Sequence, residues 1–72
     1  MKPIQAQKII GNPQSCLTFE QQYILLKERD SSSIIQAINI LGDYGWDTVS
    51  LTVEGTAIYA LVRNTNYKRK NR

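Results

Sequence analysis

The stretch that decides the fold is Trp46-Asp47-Thr48-Val49-Ser50-Leu51-Thr52-Val53-Glu54-Gly55-Thr56-Ala57-Ile58-Tyr59-Ala60-Leu61-Val62-Arg63. Two alternating, β-branched runs flank a short break that contains glycine, which is the pattern of a β-hairpin. A two-residue loop at Glu54-Gly55 pairs Val53 with Thr56, Leu51 with Ile58, Val49 with Ala60 and Asp47 with Val62. Residues directly opposite share a face. Val49, Leu51, Val53, Ile58, Ala60 and Val62 then form one apolar face, and a one-residue slip would scatter it. That face is the expected seat of a helix. The other face carries Trp46, Thr48, Ser50, Thr52, Ala57, Tyr59, Leu61 and Arg63. A solvated face seldom holds Trp, Tyr and Leu together. Trp46, Tyr59 and Leu61 are therefore read as a partner-binding surface, most simply that of a homodimer. The competing reading packs them under the N-terminal arm.

Upstream of the hairpin, Asp30-Ser31-Ser32-Ser33 opens a helix. Ser33 with Gln36 matches a capping box, and any of the four consecutive cap formers could also serve. Ile34, Ala37, Ile38 and Leu41 make an apolar stripe at helical spacing. Gly45 suits the left-handed position that ends a helix, and Gly42 suits a close approach to the sheet. Before the helix, Leu17 to Glu28 reads as a strand. Leu17, Phe19, Tyr23 and Leu25 form its apolar face, and Thr18, Glu20 and Gln22, then Ile24 and Leu26, the other.

The expected fold is α+β: a small antiparallel three-stranded sheet in the order β-α-β-β, with one helix packed on one face. Residues 17–63 make this domain. Residues 1–16 are a Gln-rich arm, flexible or an edge strand, with an extra strand at Gln5–Ile10 as one option. Gly11-Asn12-Pro13 marks a turn inside it. Residues 64–72 are a basic tail.

The run Leu41-Gly42-Asp43-Tyr44-Gly45-Trp46-Asp47-Thr48-Val49-Ser50 ends a helix and enters a strand, and Tyr59-Ala60-Leu61-Val62-Arg63 closes the hairpin. Together they resemble short bacterial and phage proteins grouped as domain of unknown function forty-one seventy-seven. The resemblance covers residues 19–63. It implies a fold and a bacterial or phage source, and brings no catalytic residue.

The net charge of +3 is uneven. Residues 1–62 hold four bases against six acids, a net of −2, while residues 63–72 hold five bases and no acid. Arg63, Tyr67, Lys68, Arg69, Lys70 and Arg72 are the alternative, nucleic-acid-binding set. Clustered Lys and Arg release counterions from a phosphate backbone, and a tyrosine can stack on a base.

Other chemistry is excluded by what is missing. With no histidine and one cysteine, Cys16, neither a disulfide framework nor a Ser/His or Cys/His dyad can be built. Asp43 and Asp47 flank Gly45-Trp46, but no third group supports acid–base work there. The glycines form no phosphate loop. The chain is read as no enzyme, with no cofactor, no metal and no membrane span, in a reducing cytoplasm. At 72 residues a single domain is marginal in burial, which adds to the expectation of self-association.

Overall fold

The computed structural model describes residues 2–18 and 20–66, the first group without the side chains of residues 16–18. The elements are β1 (Ile4–Gln5), α1 (Ala6–Gly11), a 3-10 helix (Pro13–Thr18), β2 (Tyr23–Glu28), α2 (Ser31–Asp43), β3 (Trp46–Glu54) and β4 (Ala57–Asn64). They make an α+β fold with one main helix and a four-stranded mixed sheet in the order β1-β2-β4-β3.

Three antiparallel strands were expected, and β2, β4 and β3 are those three. The addition is β1, which pairs parallel to β2 through Ile4↔Leu26 and Gln5↔Lys27. A parallel neighbour needs a crossover connection, and α1 with the 3-10 helix supplies it. The arm is therefore part of the domain. Gln5–Ile10, an optional strand by sequence, is mostly helix, and Ala6 and Ile9 are fully buried. The physical reason is that Ile9 and Ile10 cannot both be buried on a two-strand fringe, whereas a helical turn aims Ala6 and Ile9 at α2.

β2 begins at Tyr23, so Leu17 lies in the 3-10 helix and Phe19 outside the described residues. The core face of β2 is accordingly Ile24 and Leu26, with Tyr23 and Leu25 on the other side. This reverses the assignment that Leu17 and Phe19 suggested. Ile24 sits opposite Val62 and Leu26 opposite Ala60. All four are buried beneath Ile34, Ala37 and Leu41 of α2 and Ala6 and Ile9 of α1.

Asp30, not Ser33, caps α2. Its carboxylate accepts from the Ser33 amide at 3.2 Å and from the Ser32 hydroxyl at 2.5 Å. A carboxylate is a stronger acceptor than a hydroxyl and also complements the helix dipole. These bonds hold the Asp30 pKa below its ordinary value, the Ser32 hydroxyl contributing most. Gly45 does adopt the left-handed conformation, φ +89°, after the helix. Its carbonyl accepts from the Thr65 amide at 2.9 Å and from the Thr65 hydroxyl at 2.6 Å, tying the end of β4 to the end of α2. Gly42 faces open space instead of the sheet.

The hairpin register differs by two residues from the one expected. Glu54 pairs with Ala57, Val53 with Ile58 and Leu51 with Ala60. Gly55 has φ +63° and Thr56 does not have positive φ. That is the sign pattern of a type II′ turn, which wants glycine at its first central position. A shift of two leaves the faces intact. What changes them is a bulge between Thr48 and Ser50, where Val49 is an extra residue. Past it, Trp46 and Thr48 line up with Asn64 and Val62 on the helix side, and Asp47 with Arg63 on the other.

Candidate functional site

The face of the sheet away from the helices has no covering layer among the described residues. Its two central strands present three cross-strand pairs: Tyr23 opposite Arg63, Leu25 opposite Leu61 and Lys27 opposite Tyr59. Leu25, Tyr59 and Leu61 are half-buried by one another, and Tyr23 is 36% exposed. The Lys27 ammonium stands 5.8 Å from the centroid of the Tyr59 ring, a cation–π distance. Arg63 is exposed at the other end of the stripe. The surface is thus an aromatic–aliphatic strip with a cation at each end.

Of the partner-binding residues expected from sequence, the structure brings Tyr59 and Leu61 together and separates Trp46 from them. Trp46 is 3% exposed and belongs to the core. The bulge at Val49 is the cause, because one extra residue inverts the side on which every earlier side chain emerges. The vacancy on the strip is filled by Tyr23 and Leu25. By period-two alternation these two share an apolar face with Leu17 and Phe19, the face expected to be covered. Of the alternative set, Arg63 ends the strip, while Tyr67, Lys68, Arg69, Lys70 and Arg72 lie outside the described residues.

A second set of exposed apolar residues lies along β3. Val49 is 50% exposed, Leu51 58% and Val53 71%. They were expected under the helix together with Ala60 and Val62. The buried cluster instead draws on Ile24 and Leu26 of β2 and Ala60 and Val62 of β4, and Trp46 is the one buried residue of β3. Ile35 of α2 is 55% exposed.

Asp43 and Asp47 are both exposed, one at the end of α2 and the other across from Arg63. Among the described residues no group of three or more His, Cys, Asp and Glu side chains could hold a metal ion. A hollow of about 400 Å³ is bordered by Ile4, Lys8, Asn12 and Ser15. These residues offer a cation and hydrogen-bonding groups but no carboxylate to make an acid–base pair. No helix among the described residues is long and apolar enough to cross a membrane.

No family model matches the chain, and neither a curated protein nor a solved structure does.

Proposed function

We propose that this protein is a non-enzymatic interaction module, homodimeric, that acts by binding a protein partner. The observation that carries the reading is the uncovered strip of Tyr23, Leu25, Tyr59 and Leu61 along the two central strands. Tyrosine supplies a large, rigid contact with few rotamers to freeze, and interface centres are enriched in it. Lys27 at one end favours an acidic group on the partner's rim, while Arg63 at the other already has Asp47 directly across from it. The likeness to the short bacterial and phage family, and a cytoplasmic setting, belong to the same proposal.

The test is affinity capture from cells of the source organism, with wild-type protein and the double variant Tyr59→Ala, Leu61→Ala as baits. Both must first give the same far-UV circular dichroism. A protein retained by the wild type and lost by the variant supports the strip. An identical set of retained proteins would remove it.

A second reading rests on the charge distribution: five of the nine bases fall in the last ten residues. In it the protein grips a nucleic-acid backbone through Arg63 and the tail. Truncation should begin at Tyr67, since Thr65 anchors Gly45. Loss of salt-sensitive DNA or RNA binding on that truncation favours this reading.

A further inference from the structure

β3 is an outer strand of the sheet and is exposed from Asp47 to Glu54. An outer strand presents a row of unused amides and carbonyls, and proteins usually guard such edges with Lys, Pro, bulges or inward charges. β3 contains neither Lys nor Pro, and its acids sit only near its ends, at Asp47 and Glu54. The Val49 bulge interrupts the edge and leaves Ser50–Glu54 as one regular segment.

We propose that this segment pairs antiparallel with the same segment of a second copy, about a two-fold axis at Thr52. The proposal deepens the homodimeric part of the reading above and rests on it. The backbone directions follow from the turn. The pair that closes a two-residue loop, Glu54↔Ala57, shares the turn's hydrogen bond. Hydrogen-bonded and non-bonded pairs then alternate, so Thr52 bonds to Tyr59 while Leu51 and Val53 aim their amides and carbonyls outward. A two-fold at Thr52 sets Leu51 opposite the second copy's Val53, and Val53 opposite its Leu51. Those two pairs use the outward groups on both edges.

Side chains meet the same requirement. Leu51 and Val53, the most exposed apolar residues of the hairpin, become cross-strand neighbours on the helix side. Thr52 meets Thr52 on the other side, a favourable hydroxyl pair. Glu54, the one charge in the segment, meets Ser50 and never its own copy. Ile35 borders the same area. Ser33 faces α1 through its bond from Gln7, and two residues further at 100° each, Ile35 lies on the opposite flank of α2. The occupant this edge fits is thus its own sequence: apolar against apolar, hydroxyl against hydroxyl, and no acid against acid.

The experiment uses the full chain. Light scattering coupled to size exclusion, over a concentration series, should show a species of twice the 8.2 kDa chain mass. Leu51→Lys and Val53→Lys together set lysine against lysine and should weaken the dimer roughly tenfold or more. These positions are exposed, so the monomer should keep its circular dichroism. In a Cys16→Ser background, Thr52→Cys should oxidise to a cross-linked dimer. A non-bonded antiparallel pair places the two Cα atoms about 4.5 Å apart, within disulfide reach. Ser50→Cys, set opposite Glu54, should not cross-link. A dimer indifferent to the lysines, with no cross-link at residue 52, overturns the edge and leaves homodimerisation standing through another surface. A monomer at every concentration overturns both. A β3 edge protected from amide exchange only when another protein is added assigns it to a foreign strand and likewise overturns the proposal.

Discussion

Gln7 donates its Nε2 to the Ser33 hydroxyl at 2.9 Å, joining α1 to α2 across 26 residues of sequence. Ser33 is 7% exposed, the only polar residue buried as a whole among the described residues. The bond therefore fastens the N-terminal segment at a part-buried site, from an exposed Gln7 to a buried Ser33. Gln7→Ala should cost about 1 kcal/mol, the price of a half-shielded hydroxyl left without its donor. Ile9→Ala, at a fully buried position, should cost about 2–5 kcal/mol. Urea denaturation checks both. An Ile9→Ala variant as stable as the wild type would mean that the segment does not hold the core.

Trp46→Ala should unfold much of the population. Removing a buried Trp costs about 3–5 kcal/mol, and a domain of this size rarely has more than about 3–5 kcal/mol in total. Trp46→Phe should be milder. Circular dichroism with urea titration distinguishes this from a surface role, in which Trp46→Ala would fold normally.

The two glycines with positive φ should differ when replaced by alanine. At Gly55 (φ +63°) a methyl group meets open space, so only the conformational penalty of about 1–2 kcal/mol applies. At Gly45 (φ +89°) the same penalty is joined by the smaller cost of swinging the exposed Asn66 side-chain amide aside. Gly45→Ala should therefore lower Tm further than Gly55→Ala, as calorimetry would show.

Asp30 links stability to pH. Its folded pKa lies below its ordinary value, because the Ser32 hydroxyl and the Ser33 amide bind the charged form. The folded state thus binds this proton less readily than the unfolded one. The contribution is complete above the ordinary carboxylate pKa and disappears as pH falls through the lowered value. Tm should decline below about pH 5, and Asp30→Asn should flatten that decline. A variant with the wild-type slope would place the acid sensitivity elsewhere.

The placement of the elements was legible where local chemistry is self-sufficient. The Ile34, Ala37 and Leu41 stripe, the cap formers at 30–33 and the glycine at 45 define α2 without help from the rest of the chain. Alternation over 46–63 defines the hairpin and the apolar side of β4. At the candidate site, Tyr59 and Leu61 could be paired from sequence because they lie on one strand at period two.

Other features depended on contacts that sequence periodicity does not encode. Val49 bulges without any glycine to announce it, and that single residue moved Trp46 from the expected binding surface into the core. Ile24 and Leu26 displaced Tyr23 and Leu25 as the core face, since β2 starts only at Tyr23 and its partner's Ala60 and Val62 fix which side is inward. Ala6 and Ile9 are too few to declare a helix, and they form one because α2 and β2 offer them a place to be buried. Alternation states which residues share a face over a regular stretch. Which face is covered, and where the alternation breaks, depends on the summed burial of segments distant in sequence, and here that sum was resolved only by the tertiary structure.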